Sequence, residues 1–269
     1  MEDQRYSAPA AACAAQIMRL LARQDEPCSV PEMARRLGLT KSLVFRVVSE
    51  LSRHDLLERQ SDARYALGFG VLELGAAMVT RNDLAAACVA ILDRLAATVT
   101  ETANLATLRD NDVVYLMKRE GPNSRLTISH VGSRLPANCS ALGKALLSTL
   151  PDDDLDAHLA QDLPRLTERS ITDAGRLREQ IISARSAGWI VEEGESVLGR
   201  CCVAAPVRVG HVRLAVSASV AEPRMASQKE DIIVAVTHAR DQLEARIRAR
   251  TALSGDVSGM LGQSGSAAG

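Results

Sequence analysis

One stretch constrains this chain more than any other: SVPEMARRLGLTKSLVFRVVSELSRHDLLERQSDARYAL, residues 29–67. Ser29 followed three residues later by Glu32 has the form of a capping box, and Pro31 sits where a first helical turn tolerates proline. Gly38 stands where a short helix can close. Thr40 then caps KSLVFRVVSEL, in which Val44, Val47, Val48 and Leu51 make a single apolar stripe. Two strand-like pieces, LLERQ and RYAL, follow around a polar SDA turn. Helix, tight turn, one-sided helix and hairpin together describe a winged helix-turn-helix.

The chemistry of the second helix fits that geometry. Its exposed face carries Lys41, Ser42, Phe45, Arg46 and Ser49, and its N-terminal residues would enter a major groove. Lys41 and Arg46 can reach guanine edges, and Phe45 or Leu43 can touch a thymine methyl. Arg59 and Arg64 flank the hairpin turn, where phosphate contacts would sit. Net charge is −1, but residues 29–67 hold seven Lys/Arg against five Asp/Glu, and local distribution matters more than the total. The alternative is a small helical oligomerisation module whose basic residues, such as Arg35, Arg36 and Arg53, are only solvated. The turn spacing and the following wing favour double-stranded DNA.

The remaining 200 residues have another rhythm. Residues 70–99 are Ala-rich and helical, with a break expected near Asn82-Asp83. Then ANLATL, VVYLMKRE and RLTISHV suggest strands, with RDND a turn between the first two. After two further helices, PDDDLDAHL and ITDAGRLREQIISARSAGW (the second capped by Thr172 or Asp173), come the strands WIVEE, CCVAAPVRV and VRLAVSASV. The helix SQKEDIIVAVTHARDQLEARIRAR closes the fold, and the Gly/Ser-rich end, 251–269, is expected to be disordered. A length of 269 residues suffices for two modest domains. Aromatics make up only 2%, so any pocket must be walled by aliphatic and small polar side chains. The six cysteines include no C-x-x-C pair, and no apolar run approaches the length of a membrane span. A cytoplasmic protein without cofactor or metal is expected.

The stretch NCSALGKALLSTL, residues 138–150, looks catalytic. It is not a phosphate loop, because Asn138 and Ala145 stand where that motif requires Gly and Ser or Thr. It lacks a recognisable base for a nucleophile at Cys139 or Ser140. What remains is a helix N-terminus. Backbone N–H groups of Cys139, Ser140, Ala141, Leu142 and Gly143 could cradle a small carboxylate, with Gly143 allowing close approach. Packing of Leu142, Leu146 and Leu147 on a sheet accounts for the same residues and is compatible with that role.

Residues 29–75 resemble the winged helix of the IclR family of bacterial transcription regulators. RLPANCSALGKALLSTL, LTERSITDAGRLREQIISARSAGW, EEGESVLGRCCVAAPVRV and LAVSASVAEPR are similar, in order, to stretches of that family's effector domain. The resemblance covers about residues 11–250. It implies an α/β (α+β) chain: a winged helix-turn-helix at 9–69, a linker helix at 70–85 and a GAF-like effector-binding domain at 86–250. It implies a homodimer or dimer of dimers, an operator as partner, and more often repression than activation. It places further effector contacts on Thr127, Leu135, Glu192, Cys202, Ser217 and Ser219. Period-2 spacing independently puts Ser217 and Ser219 on one face of a strand. The sequence departs from the family at Leu43, where a small hydroxyl residue is usual, and at Gly194, which interrupts an acidic run.

The expected protein is therefore a repressor of a catabolic operon with a small organic acid as effector. Two other classes stand beside it: a redox-sensing regulator acting through Cys139, Cys201 or Cys202, and an enzyme with a Cys139 or Ser140 nucleophile.

Overall fold

The computed structural model describes residues 8–24, 26–80, 83–124 and 129–254. The chain divides into two compact units between Arg81 and Asn82.

In the first unit, helices α1 (Pro9–Leu21), α2 (Val30–Leu37) and α3 (Lys41–Arg53) pack around Ile17, Met33, Val44 and Val48, all fully buried. Strands β2 (Leu57–Arg59) and β3 (Arg64–Leu67) form the wing. A third strand that the sequence did not suggest, β1 (Cys28–Ser29), pairs with the far edge of β3. Gly38 adopts φ +66°, the left-handed cap that lets the chain turn at once into α3. Thr40 Oγ1 accepts from the Leu43 N–H at 3.4 Å, as its N-cap position requires. Ser29 is the N-cap of α2, but its side chain caps nothing, so the expected capping box does not form. Glu32 instead pairs with Arg36 at 2.7 Å and reaches Arg64 at 3.8 Å; extended Ser29 is drawn into the β1–β3 ladder.

Helix α4 (Phe69–Thr80) ends the first unit and α5 (Asp83–Val99) begins the second, with Arg81 and Asn82 outside the described residues. The second unit is built on one antiparallel sheet of six strands. They are β4 (Thr102–Arg109), β5 (Asp112–Arg119), β6 (Arg134–Pro136), β7 (Ile190–Glu193), β8 (Arg200–Val209) and β9 (Val212–Ala221), in the order β6-β5-β4-β9-β8-β7. One face is covered by α5 and the kinked α9 (Glu222–Ser254), the other by α6 (Ala141–Leu147), α7 (Asp152–Leu159) and α8 (Ala174–Ala187). Asp173, rather than Thr172, caps α8 by accepting from the Arg176 N–H at 2.7 Å.

Two expectations shift. RLTISHV is not a strand over its described residues 129–131; the edge strand is Arg134–Pro136, and residues 125–128, Thr127 among them, lie outside the described residues. Helix α9 runs to Ser254, past the start expected for the tail, because Leu243, Ile247 and Thr251 continue its helical pattern. Residues 255–269 are outside the described residues.

Candidate functional site

On α3 the apolar stripe is buried, and this fixes what the other side presents. Lys41, Ser42, Phe45 and Arg46 are exposed, Phe45 by 58%. An exposed Phe among basic residues is costly in water and suits a surface that meets a methyl-bearing groove. Neither Lys41 nor Arg46 is tied to an acid among the described residues. Leu43 is different: it is half-buried against the core of this unit, so only part of its side chain faces outward. Arg59 is exposed at the end of β2. Arg64 is largely committed inside the fold. Its Nη1 donates to the Pro27 carbonyl at 2.6 Å, and its guanidinium lies 3.4 Å from Asp62 and 3.8 Å from Glu32. It clamps the wing to the start of α2, leaving Arg59 as the freer cation of the hairpin.

The second unit contains a small cavity of about 70 Å³ between the sheet and α6. Strand alternation decides what it meets. In β9, Ser217 and Ser219 face it, while Val216, Ala218 and Val220 face the opposite helices. In β8, Cys202 faces it and Cys201 turns away. Of the residues singled out in the sequence, Leu135, Ser140, Ala141, Leu142, Cys202, Ser217 and Ser219 line the cavity.

Cys139 and Gly143 do not. The Cys139 thiol donates to the Pro164 carbonyl at 3.1 Å, and burial pushes its titration up. Gly143 is needed for packing, not for a ligand: a Cβ there would lie 2.1 Å from the Ala137 carbonyl oxygen. Its N–H is already taken by the Ser140 hydroxyl at 3.0 Å. The expected amide cradle is therefore reduced to Ala141 and Leu142. Lys144, far from any phosphate, is wholly buried and ion-paired to Glu195, with Gln180 Oε1 accepting from it at 2.8 Å.

Glu192 borders the cavity rather than lining it. It is 1% exposed and sits opposite Cys202 in the β7–β8 ladder. Its Oε1 accepts from the Glu195 and Ser196 N–H groups, the latter at 2.9 Å, and so shapes the turn after β7. Burial outweighs those bonds and pushes its titration up to about 7. Burial, with Glu192 adjacent, also drives the Cys202 thiol well above its usual range, and burial lifts Cys201 to about 11. All three thiols of the redox alternative are thus held protonated, which disfavours attack.

Sequence reasoning missed Asn104, Tyr115, Ser129, Ser196, Val197 and Arg200, which also line the cavity. Asn104 was the most legible, as the lone amide in the otherwise apolar ANLATL. Arg200 gave no signal, since a basic residue beside a glycine turn is ordinarily a surface residue.

A winged helix-turn-helix followed by an α/β unit defines a DNA-binding transcription regulator. Comparison with known proteins makes this specific. Residues 10–61 match the IclR helix-turn-helix domain and residues 76–244 the bacterial transcriptional regulator IclR C-terminal domain. The HTH-type transcriptional repressor AllR of Escherichia coli K12 is 30% identical over 223 residues, covering 80% of this chain and 82% of that one. An IclR transcriptional regulator from Alicyclobacillus acidocaldarius superposes with TM-score 0.81 at 29% identity, over 90% of this chain and 99% of that one. An IclR homolog from Microbacterium hydrocarbonoxydans, solved with 4-hydroxybenzoate, gives TM-score 0.75 at 25% identity, over 89% of this chain and 99% of that one. The chain belongs to the IclR family of bacterial transcriptional regulators. Among the described residues, no helix is long and apolar enough to cross a membrane.

Proposed function

We propose that the chain is a cytoplasmic repressor of a catabolic operon that binds its operator through α3 and the wing, and releases it when a small organic monoacid enters the cavity. The observation that carries this reading is the cavity itself. It is polar on its sheet side through Ser217, Ser219 and Asn104, and bounded by the first residues of α6. The 4-hydroxybenzoate held by the Microbacterium protein is also a monocarboxylate bearing a hydroxyl, and the AllR relatives are repressors.

The division of labour expected is a reading head at 9–69, a linker at 70–85 and an effector domain at 86–250. Phe69, Leu72 and Leu74 of α4 are 61–70% exposed, an apolar surface that suits a second copy and so a homodimer or dimer of dimers. Pairing two heads on a near-palindromic site multiplies their affinity.

The test is fluorescence anisotropy on DNA from upstream of its own gene. Arg46→Ala should abolish binding, and Lys41→Ala weaken it, in proteins that remain folded. Arg64→Ala should act through stability of the wing. A folded Arg46→Ala protein binding at wild-type affinity refutes the assignment of α3. Saturable release of DNA only by neutral hydrophobic compounds refutes the acid.

A further inference from the structure

Three buried polar atoms around the cavity have no hydrogen-bond partner: Arg200 Nε, Asn104 Oδ1 and Glu192 Oε2. Buried polar groups in folded proteins are almost always paired, and an orphan is costly. Two of them, Arg200 Nε and Asn104 Oδ1, belong to side chains that line the cavity and mark a place completed by something from outside the chain.

Arg200 stands out among them. Among the described residues it is the one charged side chain that lines the cavity, and it is 12% exposed. Its guanidinium is aimed by a buried frame. Nη1 donates to Glu101 Oε2 at 2.8 Å, and Glu101 is 2% exposed. Nη2 donates to the Ser219 carbonyl at 2.7 Å and approaches the Ser219 hydroxyl at 3.2 Å. Arg224 holds the other side of Glu101, with Nη1 3.4 Å from Oε1 while also donating to the Val99 carbonyl at 2.5 Å. Two guanidiniums therefore share one carboxylate, and the frame keeps a positive charge in reserve.

The planar guanidinium has one edge formed by Nε and Nη2, matching the two oxygens of a carboxylate. Glu101 occupies the other end, at Nη1. Resting on the effector reading above, we infer that Arg200 is the residue that selects a carboxylate as ligand. The acid takes the Nε–Nη2 edge and shares or displaces Ser219, and Glu101 and Arg224 act as positioning residues. A hydroxyl on the acid would meet the unpartnered Asn104 Oδ1. A neutral isostere offers the edge no charge and gains much less.

The experiment uses the full chain and calorimetry with acetate, glycolate, lactate and pyruvate, each beside its primary amide. The wild-type protein should bind at least one acid ten- to a hundredfold tighter than its amide. Arg200→Gln should bring that preference to within about threefold. Arg200→Lys, which keeps charge but loses the edge, should fall between. Because Arg200→Gln leaves buried Glu101 with Arg224 alone, Arg200→Gln with Glu101→Gln provides a neutral pair, with the same loss of preference expected. An undiminished acid preference in either glutamine variant overturns the inference, as does a wild-type protein that binds no acid or binds amides equally well. An acid that binds through Arg200 yet leaves DNA affinity unchanged supports it and overturns the regulatory reading instead.

Discussion

The two faces of the six-stranded sheet are made from the same strands, one residue out of step, and they do opposite work. Toward α5 and α9 the sheet shows Ala103, Leu105, Cys201, Val203, Ala205, Val216, Ala218 and Val220, all buried in hydrocarbon. Toward α6 it shows Asn104, Cys202, Ser217 and Ser219 around the cavity. The first face is a dry core whose burial supports the fold. The second gives up part of that burial to hold polar groups around the cavity. A one-residue slip in register would exchange them, so the pairing of Cys202 with Ser219 and of Asn104 with Ser217 decides which face the polar groups take.

The largest effect expected tests what secures the polar side. Leu92, Leu214 and Leu243, fully buried on the dry side, are hydrocarbon, whereas the largest fully buried side chain among the described residues is Lys144 on α6. Lys144→Met strands the Glu195 carboxylate, and breaking a buried pair on one side costs about 3–5 kcal/mol. Lys144→Met with Glu195→Gln should recover much of that loss. Urea unfolding of the three proteins measures it, and a single variant as stable as wild type would show that the pair is dispensable.

Glu192 gives the next largest effect. Its titration rises on folding from 4.5 to about 7, so the folded state favours the protonated acid. Its stabilising contribution is complete below pH 4.5 and is lost as pH rises to about 7, about 3 kcal/mol in all. Glu192→Gln, which keeps an oxygen for the Glu195 and Ser196 amides, should flatten that part of the stability curve. Curves of equal slope between pH 5 and 7 would place the titration elsewhere. The dry face contributes no such slope, since burial lifts its thiols, Cys88 and Cys201, to about 11.

Ser219→Ala sharpens the contrast through affinity. Losing one neutral hydrogen bond to a charged ligand costs about 1.5–3 kcal/mol, or about ten- to a hundredfold in affinity for the bound acid. DNA binding without ligand should persist, because Ser219 lies in the other unit. Calorimetry showing equal affinity would remove Ser219 from the site.

The sequence was most legible where structure is local. Gly38, Thr40 and the Val44–Leu51 stripe lie within fourteen residues, and each obeys a short-range rule, so the reading head could be drawn before any contact was known. The capping box failed for a non-local reason: Glu32 is taken by Arg36 and by Arg64 from the wing. The cavity was only half legible. Alternation placed Ser217 and Ser219 on one face, but their neighbours Asn104 and Arg200 are brought in by strand pairings across more than a hundred residues or by a guanidinium folding back along its own ladder. Gly143 misled because a glycine at a helix start admits either a ligand or a neighbouring backbone, and only packing shows that Ala137 fills the space.

The smallest effect is also the most direct comparison of the two faces, because adjacent residues carry it. Cys201 and Cys202 differ by one position in β8 and are read by different environments. Cys201 lies among Val203, Val220 and Met225 in the dry core, whereas Cys202 lies beside Ser219 and Glu192 at the cavity. Replacing sulfur by oxygen scarcely changes shape but demands a hydrogen bond. Cys201→Ser buries a hydroxyl among hydrocarbon and should cost about 1 kcal/mol or somewhat more. Cys202→Ser finds partners in Glu192 and the Ser219 hydroxyl and should cost less than about 0.5 kcal/mol, a variation typical of benign substitutions. Neither change should abolish a response to effector, which separates this regulator from one that senses oxidants through those thiols. Equal costs in paired denaturation curves would mean that the two faces do not differ in polarity as their side chains indicate, and loss of the response in both serine variants would return the thiols to the mechanism.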